Sequence, residues 1–239
     1  MTYLYCLQAP DAPPPVGLVG IDGASVRAID AGGFVAWVSD APDRVEPNVG
    51  RLEAHDGVCA SALAGGYTPL PIRFGQTFAD DDAAVSAIES REPTLRARFD
   101  RIAGCVEMRL VVVRGRRSDV AGPADAVEQE TPGSLDSALG PGTAFLMRIA
   151  RAGRDDLARE VTCEDVRHLV RTRLRSLIVD QSPCESSRGI AFFPVMVRRA
   201  SVDALRDGVA ELLSSQASSE TPGWTLLGPF APYSFAGDA

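Results

Sequence analysis

The sequence predicts an α+β protein of two domains, which span residues 1–104 and 105–239. Short apolar stretches rich in β-branched and aromatic residues alternate with longer segments whose apolar residues recur at three- and four-residue steps. A segment at about 114–142, rich in glycine, proline, serine and acidic residues, is expected to be a flexible excursion. After residue 104 the elements follow the order strand, long helix, strand, helix, strand, which is most of a modified ferredoxin-like unit.

The first domain is predicted to begin with three short strands. Tyr3–Gln8 (YLYCLQ) is rich in β-forming residues, and the proline-rich stretch that follows ends any regular structure. Two further strands, Val26–Ile29 and Gly33–Ser39, flank Asp30–Gly33, whose sequence DAGG is typical of a hairpin turn.

Helical periodicity follows. The segment Pro47–Gly65 has one apolar face, and a pair of glycines ends it. A strand is predicted at Leu70–Phe74, and Asp80–Gly104 is helical again. The aspartates at the start of this second helix suit its positive end, while Pro93 is expected to start a second segment or to kink the helix.

The second domain is predicted to start with a strand at Val106–Val113, which alternates at first and then becomes continuously apolar. Phe145–Val179 is predicted to be mostly helical, with many arginines on its polar faces. Such charges usually solvate a helix, although they could also form a binding face.

The last elements are a strand, a helix, a strand and an aromatic tail. Ile190–Val197 contains Pro194, which has no backbone donor for a ladder, so an edge or a bulge is expected there. Ser201 can cap the helix that follows. Trp224–Leu227 is the last predicted strand, and Gly228–Phe235 is a stiff tail that we call the C-terminal tail.

Composition excludes several classes of function. The net charge is −8 and every one of the 24 basic residues is arginine, so nucleic-acid binding is disfavoured and lysine-dependent chemistry is absent. No apolar run approaches the length of a membrane span, and the N-terminus lacks the features of a signal peptide, so a cytoplasmic location is expected. The five cysteines are widely spaced and expected to be reduced, and neither a metal site nor a cofactor is predicted.

Catalytic machinery is not predicted either. His55 lies at a core-facing position of its helix, where it could serve as a base for Cys59 one turn away or simply be a half-buried histidine with a hydrogen-bond partner. Glu107 has no obvious carboxylate partner for acid–base work, and the phosphate-loop pattern is missing. We therefore expect a protein that is not an enzyme.

Arg73 stands out in the stretch TPLPIRFGQTF. Pro71 before it and Gly75 after it restrain the backbone, which suits a guanidinium that must meet a carboxylate in a bidentate pair. The partner could be Glu107 on another strand or Glu53 on the preceding helix, in a structural ion pair. A role in docking another protein is the alternative.

Several spaced motifs together resemble those of the gas vesicle protein L/F (GvpL/GvpF) family. The most specific is the helix with His55 followed by LPIRFGQTF. The other stretches that carry the resemblance are YLYCL at Tyr3–Leu7, GFVAWVSD at Gly33–Asp40, LRARFDRIAGCVEMRL at Leu95–Leu110, GPGTAFL at Gly140–Leu146 and LLGPFAPYSF at Leu226–Phe235. The sequence departs from the family pattern at Phe230, where the family usually has tryptophan, and at Ala231, where it usually has proline.

The resemblance implies an accessory role at the gas vesicle, without catalysis. The expected partners are the small hydrophobic shell subunit, whose nucleation or assembly the protein would assist, and other accessory proteins. A subunit of that kind exposes apolar surface and sheet edges before it assembles. The candidate partner interface consists of the Pro194 strand and the aromatic residues of the C-terminal tail, namely Phe230, Tyr233 and Phe235.

A different class of function remains open at this point. Ferredoxin-like domains also serve as small-ligand-binding regulatory modules, which would require a pocket lined by polar groups, or as dimeric barrel enzymes. Such an enzyme usually needs a haem, a metal or a base, and the scarcity of histidine argues against it.

Overall fold

The computed structural model describes residues 1–113, 167–168, 170–187, 190–215 and 223–237. The excursion expected at about 114–142 and most of the helix expected at Phe145–Val179 lie outside these residues. Two antiparallel sheets, each accompanied by helices, form the α+β architecture that the sequence predicts. The domain boundary at residue 104 remains a prediction.

The first sheet has the strand order β2-β3-β1-β4, and β5 pairs with β1 as well. Its strands are β1 (Thr2–Gln8), β2 (Arg27–Ala31), β3 (Phe34–Asp40), β4 (Leu70–Pro71) and β5 (Thr77–Phe78). The predicted strand Leu70–Phe74 is thus only two residues long, because Ile72 and the residues after it turn towards Gly75, whose φ is +89°.

Every residue of the central strand β1 is buried, because both faces of the sheet are covered. The register of β1 against β3 shifts between Leu4 and Cys6, which is a bulge. Tyr3, Tyr5 and Cys6 therefore pack in one core cluster, and Leu4 and Leu7 in the other.

Three helices cover this sheet. They are α1 (Val49–Ala64), α2 (Asp81–Glu89) and α3 (Glu92–Ile102). The Asn48 side chain caps α1 by accepting from the Arg51 amide, and the Asp80 side chain caps α2 by accepting from the Ala83 amide. Pro93 lies in the first turn of α3, so it starts a second helix, as one of the two expectations had it.

The second sheet has the order β10-β6-β9-β7, and β8 also pairs with β9. Its elements are β6 (Cys105–Val113), β7 (Ile178–Gln181), β8 (Glu185–Ser187), β9 (Ile190–Arg198), α4 (Val202–Ser215) and β10 (Gly223–Phe230). With β7 and β8 taken together as the second strand, the order is fourth, first, third, second. That order and its antiparallel pairing are those of a ferredoxin-like sheet.

The helix expected to run to Val179 ends earlier. Val170–Leu174 forms one wide helical turn and Arg175–Leu177 a tighter one, after which Ile178 and Val179 already belong to β7. Both are β-branched residues, and pairing with β9 outweighs the apolar stripe that suggested a helix.

Pro194 does not lie on an edge strand, so the edge alternative is wrong, and the register of β9 against β6 is continuous through Pro194. β9 pairs with β6 along its whole length and with β7 and β8 on its other side. The Pro194 carbonyl accepts from the Ser182 amide at 3.1 Å. Because the N and O of one strand residue point to the same neighbour, the proline nitrogen faces the gap between the end of β7 and the start of β8. The missing donor therefore falls where the partner strand is interrupted.

The two sheets share their cores. Each of the two clusters of buried apolar residues contains side chains from both halves of the chain. Arg199 adds polar links, since its guanidinium donates to the Leu63 carbonyl at 2.9 Å and to the Tyr67 carbonyl at 2.7 Å. None of the helices in the described part of the chain has the length and apolar character needed to cross a bilayer.

Candidate functional site

The C-terminal tail is held against the second sheet by a buried carboxylate. Glu107 on β6 is fully buried, and its Oε1 accepts from Arg109 Nε at 2.8 Å and from Ser234 Oγ at 3.1 Å. Its Oε2 accepts from the Ser234 amide at 2.8 Å. These charge-assisted hydrogen bonds satisfy a carboxylate that would be costly to bury alone. We call Glu107, Arg109 and Ser234 the tail clamp.

The backbone conformation at the start of the C-terminal tail requires a glycine at position 228. The register of β10 against β6 shifts between Leu227 and Phe230, and Gly228 has a φ of +119° there. A Cβ at this position would lie 2.9 Å from the Glu107 carbonyl oxygen, so a side chain is excluded. The bend brings the Phe230 ring under the Arg109 guanidinium, whose carbon is 4.9 Å from the ring centroid.

His55 lies beside the tail and uses both ring nitrogens. Its Nε2 donates to the Ile72 carbonyl at 3.1 Å, and the Tyr3 hydroxyl donates to Nδ1 at 2.9 Å. The Tyr3 hydroxyl in turn accepts from the Gly75 amide at 3.0 Å. Burial lowers the pKa of His55 to about 4, against the opposing effect of the Ile72 hydrogen bond, so the ring is neutral at pH 7.

This arrangement does not suit His55 to act as a base for Cys59. The Cys59 thiol points to the Tyr5 carbonyl at 3.8 Å, and both nitrogens of the histidine are engaged elsewhere. The contacts are those of a structural histidine that joins α1 to β1 and to the turn after β4.

The other aromatic residues of the tail point inward. The Tyr233 ring centroid is 6.1 Å from that of His55, and its hydroxyl is buried without a hydrogen-bond partner in the described part of the chain. Burial raises the pKa of Tyr233, and the neighbouring Cys59 thiol adds to this. Phe235 is 2% exposed and packs in the second core cluster. Neither ring is an exposed anchor in the free chain, whereas Phe230 is half-buried beneath Arg109.

Arg73 is not the partner of Glu107, since Arg109 and Ser234 take that place. The Arg73 side chain is exposed, and it makes neither an ion pair nor a hydrogen bond with the residues that the structure describes. The same holds for Glu53, so the second expected pair is not formed either. Neither pair forms because the backbone at Arg73 is held in a conformation that directs its guanidinium into solvent.

The turn that carries Arg73 is fixed on both sides. The Ile72 amide donates to the Tyr5 carbonyl at 2.9 Å, and its carbonyl accepts from His55. The Phe74 ring packs edge-on against the rings of Tyr3 and His55, at centroid distances of 6.0 and 5.7 Å. Arg73 is thus an outward-facing cation on a well-ordered backbone.

Sequence reasoning missed Arg109, Ser234 and Tyr3 as members of this site. One signal was present, because residues two apart on a strand share a face, which places Glu107 and Arg109 side by side in VEMRL. No comparable signal links Ser234 to Glu107 across 127 positions of sequence.

The described cysteines differ in state. Cys6, Cys59 and Cys105 are buried free thiols, while Cys184 is disulfide-bonded, so the expectation of reduced cysteines is wrong at that position. Within the described residues, His, Cys, Asp and Glu form no group of three that could hold a metal ion.

One open cleft of about 430 Å³ is lined by Met1, Thr2, Arg27, Asp40 and residues 79–82. Arg27 is already paired there, with Asp81 through Nη2 at 2.6 Å and with Asp40 through Nη1 at 3.0 Å. The hydrogen bonds from Arg27 and Thr2 lower the pKa of Asp81.

Comparison with known proteins gives a consistent result. The family model described as "Gas vesicle synthesis protein GvpL/GvpF" matches residues 1–237. The chain is 29% identical over 248 residues to gas vesicle protein F of a Streptomyces species, covering 98% of both chains. It is 30% identical over 258 residues to gas vesicle protein L of the same organism, covering all of this chain and 94% of the relative.

Solved structures agree on the fold. The crystal structure of the gas vesicle protein GvpF from Anabaena matches with a TM-score of 0.70 at 19% identity, over 100% of this chain and 96% of that one. GvpF from Microcystis aeruginosa matches with a TM-score of 0.68 at 19% identity, over 99% and 98%. With a family model that spans nearly every residue, the chain belongs to the GvpL/GvpF family of gas vesicle synthesis proteins.

Proposed function

We propose that this chain is an accessory protein that binds the small hydrophobic shell subunit of the gas vesicle, and other accessory proteins, while the shell is nucleated or assembled. Membership of a gas vesicle synthesis family supports the setting. A shell subunit that has not yet assembled exposes apolar surface and strand edges, which a binding protein can cover. The role is one of binding without catalysis, in line with a His55 whose two nitrogens serve structural contacts.

The observation that carries the proposal is Arg73. Its guanidinium is exposed and unpaired among the described residues, yet its backbone is held by hydrogen bonds and ring contacts on both sides. A group that is ordered before binding loses less entropy when a partner arrives. Arginine also recognises carboxylates in a bidentate geometry that lysine does not reproduce. Arg73 therefore contacts an acidic side chain of the partner.

The test measures binding of the purified shell subunit to the full chain. Arg73→Gln is expected to weaken binding about tenfold, because one charge-assisted contact is worth roughly that much. Arg91→Gln is the matched control, since Arg91 is also exposed and unpaired within the described residues, at the junction of α2 and α3. Equal binding by both variants and the wild type would refute the role of Arg73.

A small-ligand role is the second candidate, and the cleft around Arg27 is the observation that favours it. An anionic ligand would have to displace Asp40 and Asp81 from Arg27, which makes this site less suited to binding than the free Arg73. Native mass spectrometry of the purified chain distinguishes the two, since a stoichiometric small molecule would support the ligand role.

A further inference from the structure

Exposed apolar side chains occur on α1 and in the loop before β2, which an ion pair joins to α1. The described residues expose six large ones, and four of them are Val49 and Leu52 on α1 and Val16 and Val19 in the loop before β2. Val49 is 67% exposed and Leu52 46%. The two lie three residues apart on a helix and therefore share a face. We call these four residues the α1 patch.

The loop and the helix are tied together. Arg51 on α1 donates from Nε to Asp22 Oδ1 at 2.9 Å and from Nη2 to Asp22 Oδ2 at 2.8 Å. The loop itself is ordered, since Val19 forms a bridge with Ser25 and the Ile21 amide donates to the buried Tyr5 hydroxyl at 2.9 Å. Because the loop is held to α1, both parts of the patch can meet one partner.

The charges beside the patch are acidic. Glu53 follows Val49 by one helical turn and Asp56 follows Leu52 by one turn, so carboxylates flank the apolar pair on the exposed side of α1. Neither makes an ion pair with the described residues. Among the described cations, Arg51 pairs with Asp22 and Arg44 with Glu46, and Arg109, which is bound to Glu107, attracts Asp56 without forming an ion pair with it.

This combination defines the chemistry of the partner. Apolar side chains at helical spacing suit the apolar stripe of a second helix, and unpaired carboxylates suit cationic groups beside that stripe. Anionic membranes, nucleic acids and acidic peptides are disfavoured by the same carboxylates. We propose that the α1 patch, with Glu53 and Asp56, binds an amphipathic helix of the shell subunit that carries arginine or lysine beside its apolar face. This inference rests on the proposed function.

A first test uses two designed helical peptides with identical apolar faces, one flanked by arginine and the other by glutamate. Fluorescence anisotropy with the full wild-type chain should show about tenfold tighter binding of the arginine peptide, with a preference that shrinks as salt is added. Equal binding of the two peptides would overturn the inference.

Variants locate the contact. The double substitution Val49→Ser and Leu52→Ser should weaken binding of the arginine peptide about tenfold, and Glu53→Gln with Asp56→Asn should remove most of the charge preference. Val179→Ser is the matched control, because Val179 is 47% exposed on β7 in the other sheet. A patch variant that binds the arginine peptide as tightly as this control would refute the site. The substituted positions are all exposed, so the variants should fold. The comparison of the two peptides uses only the wild-type chain and does not depend on the variants.

Binding of the shell subunit by the wild type and by a patch variant distinguishes a failure of this inference from a failure of the proposed function. If the wild-type chain binds the shell subunit and the Val49→Ser, Leu52→Ser variant binds it equally well, the α1 patch is wrong and the proposed function stands. If the wild type does not bind the shell subunit at all, the proposed function fails, and the inference fails with it.

Discussion

His55 is a buried residue whose protonation differs between the folded and the unfolded chain at mildly acidic pH. Its pKa falls from the usual 6.5 to about 4 because burial disfavours the imidazolium. The unfolded chain therefore takes up a proton near pH 6.5, while the folded chain does so only near pH 4. The stabilisation is complete above pH 6.5 and is lost as the pH falls towards 4.

We accordingly predict that this residue alone lowers the free energy of unfolding by about 2 kcal/mol between about pH 7 and about pH 5. Urea denaturation at the two pH values measures it. His55→Gln should show a shallower loss with falling pH, because glutamine does not titrate. Identical pH dependence in wild type and His55→Gln would contradict the assignment of a buried neutral ring.

The place of each residue in the fold decides which side chains pair at the site, and residue type alone does not. Glu107 was one of two partners expected for Arg73 from the sequence, yet the two residues do not pair. A guanidinium and a carboxylate attract from many positions, and which pair forms depends on the faces that the strands present. Glu107 has Arg109 two residues away on the same strand, and that short distance decides the pairing.

Among the elements, the C-terminal tail is held to the second sheet by the hydrogen bonds between Glu107 and Ser234. Glu107→Gln would leave the shape of the side chain but remove the charge that strengthens its hydrogen bonds to Arg109 and Ser234. We predict a loss of about 2 kcal/mol in the free energy of unfolding and faster hydrogen exchange of the Ser234 amide.

The control is Asp203→Asn, which breaks an exposed pair with Arg206 whose side chains are 91% and 50% exposed. That change should cost less than about 0.5 kcal/mol. Ser234→Ala should not add fully to Glu107→Gln, because both remove the same contact. Fully additive losses would show that the two residues act independently.

Strands and helices were predicted with uneven success. The helices α1, α2 and α3 lie within the two segments whose apolar periodicity predicted helix, and Pro93 indicated the division between α2 and α3. Pro194 was expected at an edge or a bulge, because proline has no backbone donor for a central ladder. Its place opposite a break in the partner strand depends on β7 and β8, which no local rule specifies.

For the whole molecule, both sheets contribute buried apolar residues to each of two core clusters. Both core clusters combine side chains from the two halves, and Arg199 joins the second sheet to the end of α1. Unfolding of either half would expose apolar side chains of the other half to water. The two halves predicted from sequence should therefore unfold together despite their separate sheets.

The chain offers a direct measurement of this cooperativity. It has two tryptophans, with Trp37 on β3 of the first sheet and Trp224 on β10 of the second. In Trp37→Phe the fluorescence reports on the second sheet, and in Trp224→Phe on the first. We predict that each variant's fluorescence transition coincides with its own far-UV circular dichroism transition; an early fluorescence transition in either would show independent domains.

The sequence by itself determined the α+β class, the ferredoxin-like second half, most helices and strands, and the resemblance to the family to which the chain belongs. These follow from periodicity, turn residues and short motifs, which act over a few neighbouring positions. Tertiary structure alone decided that Glu107 holds Ser234, that Tyr233 and Phe235 turn inward, and that Arg73 and the α1 patch face outward. Those outcomes depend on which distant segments become neighbours. Strand order and shared burial decide which segments meet, and the segments can be more than a hundred residues apart in sequence.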